Sequence, residues 1–293
     1  MQMQAAPDVL TVTDHTIQSI SVEGASLAYI EQGSGTPVVF VHGAITDLRI
    51  WFDQVAHFSD QYRAIAYSRR THWPAQLKDV PEGPYLRSLH ANDLIGFLDG
   101  LSLKQVHLVG HSFGGSIALL VALERPDLVA TLVLGEPSPF LGLFDDSDVG
   151  PLSKQRLGFD EAILIARGGN LEGAVRQYLK VIVGADVLDQ LSDAARKIVL
   201  DNASTLVPML EHYYESPAIS LDSLAKTKVP TLLISGEFSP RLGLISNGKL
   251  QNHLPNSTEA VLYSTSHGLH IENPTGFDHV VLKFLAETAA ALN

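Results

Sequence analysis

Cysteine is absent from this chain. That excludes disulfides, thiolate metal sites and a cysteine nucleophile together. Excess positive charge is missing too: the formal net charge is −12 at pH 7. A nucleic-acid groove needs a basic face, so nucleic acid is not an expected partner, and anionic membranes are disfavoured. No stretch offers the run of about 18 apolar residues that a membrane-spanning helix requires. The first eight residues lack a basic segment followed by an apolar core, so no secretory signal is expected and a cytoplasmic location is. Internal repeats, low-complexity stretches and charge runs are absent as well. What remains is 45% hydrophobic and 18% charged over 293 residues, enough to bury a large core as one α/β unit.

The first half of the chain alternates strand and helix. Residues 16–22 and 25–31 read as a hairpin turning at Glu23-Gly24. The runs 37–41 and 62–67 are apolar enough for buried central strands. Residues 87–101 have helical spacing, with Leu94, Phe97, Leu98 and Leu101 on one face, and 106–109 and 130–134 are further strands. Repeated strand–helix–strand predicts a mostly parallel sheet covered on both faces. From about 138 to 225 the alternation stops and only helical pieces remain, at 160–167, 171–183, 185–202 and 205–214, with breaks at Gly168-Gly169-Asn170 and Ser216-Pro217. It resumes with a strand at 229–235, a helix around 244–254, a strand at 259–263 and a last helix at 276–291. This predicts a core domain of residues 1–138 and 221–293 and a helical cap of residues 139–220 above the sheet ends.

Chemistry concentrates at residues 106–114, Val-His-Leu-Val-Gly-His-Ser-Phe-Gly, an apolar strand running into Gly110-x-Ser112-x-Gly114 and then a good helix former. A serine at a strand-to-helix hinge is forced into a sharp turn with its hydroxyl clear of the sheet, and the flanking glycines leave room for that turn. Its hydroxyl needs a base, and the base needs a third group to hold it. Among twelve histidines, His267 follows the last strand and precedes the last helix, which puts it at the C-terminal edge of the sheet beside the elbow. His270 shares that loop and is the alternative base. His15, His57, His90 and His253 fall on surface-like stretches, while His107 and His111 flank the elbow and are expected to pack beneath it. An oxyanion would be met by the backbone N–H of Phe113, at the positive end of the elbow helix, and by that of Ala44, after His42-Gly43.

With these residues in place the chain resembles the α/β-hydrolase superfamily, through His42-Gly43, the Gly110–Gly114 elbow and the Ser266-His267…Glu272-Asn273-Pro274 segment. The likeness covers about residues 20 to 290. It departs from many members in two places. Where an Asp often stands three residues after the Gly ending the strand before the late helix, Gly236-Glu237-Phe238-Ser239 has Ser. Glu136, 24 residues past Ser112 and just beyond a strand, resembles instead the acid of haloalkane-dehalogenase-like and zearalenone-lactonase-like branches. Glu136 is the expected acid and Glu237 the alternative. The second departure is Tyr67-Ser-Arg-Arg-Thr-His-Trp-Pro74, whose Arg69 and Arg70 either meet a substrate carboxylate or tie the loop to nearby backbone. Trp51 and Trp73 either line a pocket or pack.

The resemblance implies a cofactor-free, metal-free serine hydrolase of a small-molecule carboxylic ester or lactone, with Ser112, His267 and Glu136 as triad. A carbon–carbon bond hydrolase or a perhydrolase/haloperoxidase-like enzyme would use the same triad. A hydrolase-fold small-molecule receptor would turn over little. Dehalogenase and epoxide-hydrolase chemistry is disfavoured, because those families use a carboxylate where this chain has Ser112.

Overall fold

The computed structural model describes residues 10–12, 15–75, 85–215 and 219–292. The first eight residues and Ser216-Pro217, on which two of the expectations above rest, lie outside the described residues. Among the described residues nine strands form the sheet: β1 (Leu10–Val12), β2 (His15–Val22), β3 (Ala25–Gln32), β4 (Pro37–Val41), β5 (Arg63–Tyr67), β6 (Val106–His111), β7 (Val129–Gly135), β8 (Thr231–Gly236) and β9 (Ser257–Leu262). Their spatial order is β1-β2-β3-β5-β4-β6-β7-β8-β9. The pairs from β1 to β5 through β3 are antiparallel, and every pair from β5 onward is parallel.

Both faces of the central strands are apolar because both are covered. Along β4, Val39 and Val41 enter a core shared with α2 (Arg87–Gly100) and α3 (Phe113–Glu124). Val38 and Phe40 enter the opposite core, built with α1 (Phe52–Phe58) and α11 (Pro274–Leu292). Each such side chain contributes about 1.5–3 kcal/mol on burial.

Between β7 and β8 come α4 (Val149–Arg167), α5 (Leu171–Val183), α6 (Asp193–Asp201), α7 (Leu206–Glu211) and α8 (Leu221–Lys226), and no strand occurs there among the described residues. Helix α9 (Arg241–Gln251) links β8 to β9, and the four-residue α10 (Leu269–Glu272) precedes α11. Helix α7 ends at Glu211, short of residue 214, and α9 runs three residues earlier than read, but two boundaries differ most. Helix α4 starts at Val149, well before residue 160. Pro151 sits in its first turn, where a missing N–H costs nothing, and exposed Leu157 and Leu164 blur its apolar stripe. The stretch 185–202 is not one helix but a 3-10 turn at Leu188–Gln190 followed by α6, whose start is fixed by Ser192 Oγ accepting from Ala195 N at 3.2 Å.

The helical block is strapped to the loop after β4. Asp47 is fully buried, and its Oδ2 accepts from Asn202 Nδ2 at 2.6 Å and from Arg49 Nη2 at 2.7 Å. Asn202 Oδ1 in turn accepts from Trp73 N at 2.9 Å, and Arg49 Nη1 pairs with Asp201 at 2.9 Å. No helix among the described residues is long and apolar enough to cross a membrane.

Candidate active site

Ser112 joins β6 to α3 at φ 52°, ψ −120°. A non-glycine residue in that region stores of order 1–3 kcal/mol of strain, and it persists only where the surroundings over-determine it. Here Ser112 N donates to Gly135 O at 2.8 Å, and its carbonyl accepts from Ser116 N and Ser138 N. Close approach explains the two glycines. A Cβ on Gly110 would stand 2.7 Å from Gly114 O, and one on Gly114 only 2.2 Å from Val41 O.

Glu136 ends the neighbouring strand, also at positive φ (44°). Its side chain is wholly buried, and Oε2 accepts from His267 Nδ1 at 2.6 Å. Oε1 accepts from Gly236 N at 3.1 Å and from Ser239 Oγ. Burial opposes charge on this carboxyl, but the bonds from His267, Ser239 and Gly236 outweigh it and hold its pKa below the ordinary glutamate value. The contact fixes the imidazole: a carboxylate only accepts, so Nδ1 carries the proton. Nε2 is left as a bare lone pair, buried and without a hydrogen-bond partner among the described residues. The His267 carbonyl accepts from His111 Nε2 at 2.7 Å, which anchors the loop from below.

Glu237 is placed otherwise. It is exposed, and its carboxylate accepts from Ser264 N at 2.9 Å. His270 is buried against the Trp51 ring, centroids 3.9 Å apart, and neither of its ring nitrogens has a partner among the described residues. Trp51 therefore packs in the core. Trp73 is partly buried beneath the Arg49 guanidinium, 4.0 Å from its ring.

The Gly43–Ala44 peptide is gripped from its carbonyl side. Gly43 O accepts from Arg69 Nη2 at 2.8 Å, His42 Nδ1 at 2.8 Å and Thr46 Oγ1 at 3.2 Å. His42 Nε2 accepts from Arg69 N at 3.0 Å, so its Nδ1 is the protonated nitrogen. Burial, with Arg69 beside it, keeps the His42 pKa well below the usual histidine range, consistent with that neutral tautomer. In a trans peptide the N–H points opposite the carbonyl, so these three donors also aim the Ala44 N–H. Arg69 pairs with no carboxylate among the described residues, and burial pushes its pKa down to about 10. Arg70 is paired with Asp93, its Nε donating at 2.5 Å, and also reaches Glu23 O at 3.0 Å. Both arginines thus tie loops to their surroundings.

His90 corrects the sequence reading: it is buried, with Arg69 Nη1 3.4 Å from its Nε2. His90 stands four residues before Leu94, on the same face as Leu94, Phe97 and Leu98, and Arg87 and Asp93 are buried beside it. Ser239, where the sequence shows only a missing acid, donates instead to Glu136 Oε1. The signal was its spacing from Gly236.

Two cavities meet at Ser112 and His267. One, of about 480 Å³, is bounded by Glu136, Tyr213 and residues of α4, α5 and α9. The other, of about 390 Å³, is bounded by Ala44, Ile45, Tyr178, Leu191 and Val199 among others. No cluster of three or more His, Asp or Glu side chains suited to a metal ion occurs among the described residues. The assembled groups suit nucleophilic attack on a carbonyl, with a base already oriented.

A family model described as "alpha/beta hydrolase fold" matches residues 36–274. The chain is 24% identical over 272 residues to the 3-oxoadipate enol-lactonase 2 of Acinetobacter baylyi, covering 91% of this chain and 96% of that protein. It is 30% identical over 140 residues to the 2-(acetamidomethylene)succinate hydrolase of Mesorhizobium japonicum, 47% of this chain and 49% of that one. The crystal structure of the enol-lactonase from Burkholderia xenovorans LB400 superposes with a TM-score of 0.74 at 21% identity, covering 92% of this chain and all of that one. At that identity the structural likeness is one of fold.

Proposed function

The chain belongs to the α/β-hydrolase family, and on that premise we propose that it is a cofactor-independent serine hydrolase cleaving a carboxylic ester or lactone. The observation that carries this is the buried Glu136–His267 contact, which leaves a bare Nε2 in the cavities that Ser112 also lines. The similarity to an enol-lactonase along nearly the whole chain supports the same substrate class.

In this reading Ser112 Oγ attacks the carbonyl carbon while His267 Nε2 takes its proton. The carbonyl π electrons move to oxygen, and the oxyanion is met by the N–H groups of Ala44 and Phe113, worth about 3–4 kcal/mol each. Collapse expels the alcohol oxygen, which regains the proton from His267, and leaves an acyl-Ser112 ester. Water, deprotonated by His267, then attacks that ester. The acid departs and Ser112 is reprotonated. With a lactone the leaving hydroxyl stays tethered to the acyl group throughout, and the second step releases a single hydroxy acid. Residues 139–220 serve as a helical cap on a core of 1–138 and 221–293, a division supported by α4 and α5 side chains lining the cavity with Ser112.

A fluorophosphonate probe tests the reading: it is expected to label Ser112 alone. An activated ester is expected to give a burst followed by steady turnover. Labelling at another serine overturns the assignment, and one acylation with no turnover makes the chain a receptor.

Glu136→Gln tests the acid. The substitution keeps the shape but removes the charge that stabilises the imidazolium, so kcat is expected to fall by about 10²–10⁴-fold with KM little changed. Glu237→Gln is expected to do far less. Equal losses in the two variants would refute Glu136 as the acid.

A further inference from the structure

The two cavities beside Ser112 differ in chemistry. The smaller is walled by Ala44, Ile45, Leu179, Ile182, Val187 and Leu191, an apolar lining that asks for an apolar group. The larger has Lys154 on α4, Lys180 on α5 and Arg241 at the start of α9, three cations from separate elements around one space. Its acidic side chains are Glu136, committed to His267, and Glu161, which accepts from Gln177 Nε2 at 2.7 Å.

None of the three has a carboxylate partner among the described residues. A surface carrying −12 has carboxylates to spare. Nearby, Lys249 is held by Asp145 and Asp148, Arg176 by Asp186 and Asp189, and Arg196 by Glu172. Lys154, Lys180 and Arg241 are exposed and make no ion pair or side-chain hydrogen bond among the described residues. Three of the chain's unpaired cations therefore stand together where a substrate would lie. The molecule's overall field repels an anion, and this ring offers local compensation at the mouth of the site.

We infer that the substrate is an ester or lactone bearing a second, remote carboxylate, which the Lys154–Lys180–Arg241 ring receives while an apolar part of the molecule occupies the opposite chamber. This rests on the serine-hydrolase reading above and adds the substrate class to it. Exposed cations act through solvent, so the gain is moderate and salt-sensitive. It should be about tenfold in kcat/KM when two or three act together.

The test compares p-nitrophenyl hydrogen adipate and suberate with their neutral methyl esters. These chains are long enough to limit attack by the free carboxylate on its own ester. The wild type is expected to favour the acids by about tenfold at low ionic strength, with the ratio shrinking as salt is added. The triple variant Lys154→Gln, Lys180→Gln, Arg241→Gln is expected to bring the ratio close to one, through a higher KM for the acids. All three positions are exposed, so the changes disturb no packing. A wild type that hydrolyses the methyl esters as well as the acids overturns the inference, as does a triple variant that keeps the preference. Labelling of wild-type Ser112 by an uncharged fluorophosphonate separates the two levels. If labelling fails, the serine-hydrolase reading falls. If it succeeds and the acids are not preferred, only the carboxylate subsite falls.

Discussion

Ser112→Ala is expected to lower kcat on an activated ester by about 10⁵–10⁶-fold, leaving only what binding and the oxyanion donors supply. The loss should be clean. Ser112 Oγ makes no hydrogen bond among the described residues, so removing it orphans no buried partner. Alanine meets the same backbone strain as serine at φ 52°, and the N–H and carbonyl bonds that pin the elbow are unchanged. Thermal unfolding should accordingly move by little while turnover disappears. A variant that keeps more than about one part in a thousand of wild-type kcat would show that another group attacks.

The second large effect is on stability in acid. His42, His72, His90 and His270 are buried, and burial, reinforced by neighbouring Arg69 or histidines, holds their pKa values well below the usual histidine range. Burial pushes His107 down to about 4 and His111 to about 3. Unfolding returns all six to about 6.5. Below that pH the unfolded chain binds protons that the folded chain refuses, so stability falls as pH falls, by about 1.4 kcal/mol per pH unit for each histidine. Six together approach about 8 kcal/mol per unit, against a total of about 5–15 kcal/mol for a typical domain. Asp93 and Asp278, whose pKa values burial raises, oppose this, but they are fewer and act only at the acid end of the range. Cooperative unfolding is expected between about pH 6 and 4.5, read by far-UV circular dichroism and by the fluorescence of buried Trp51. A native signal persisting at pH 4 would mean that these rings ionise in place.

The parts of this molecule legible in the sequence were those with a local rule. The elbow was legible because two glycines, a preceding apolar run and a following helix former each impose a constraint within nine residues. Helix α5 was placed at its observed bounds because Asn170 caps it and Gly184 ends it in the left-handed conformation. Glu136 was singled out by its place after a strand, and the structure sets it against His267. What stayed hidden depends on partners far along the chain. His90 stands on the buried face of α2, four residues before Leu94, but the Arg69 guanidinium it meets there lies twenty-one residues away. The grip on Gly43 O joins residues 42, 46 and 69 through a carbonyl that no side-chain pattern advertises. Ser239 looked like a loss because a one-residue reading could not include the carboxylate it serves.

The strap at Asp47 bears on how this scaffold is to be engineered. The loop that carries Ala44 and the end of α6 share one buried carboxylate, through Asn202. A library built to widen the apolar chamber would naturally sample the block as a whole. Its residues are not equivalent targets. Changes at Asn202 or Asp201 leave Asp47 short of a donor or Arg49 short of an acceptor, and the disturbance is expected to travel to the Gly43–Ala44 backbone, the proposed oxyanion donor. Such variants are expected to lose rate on every substrate, old and new alike. The apolar α5 side chains that face this chamber, Leu179 and Ile182, are the better targets.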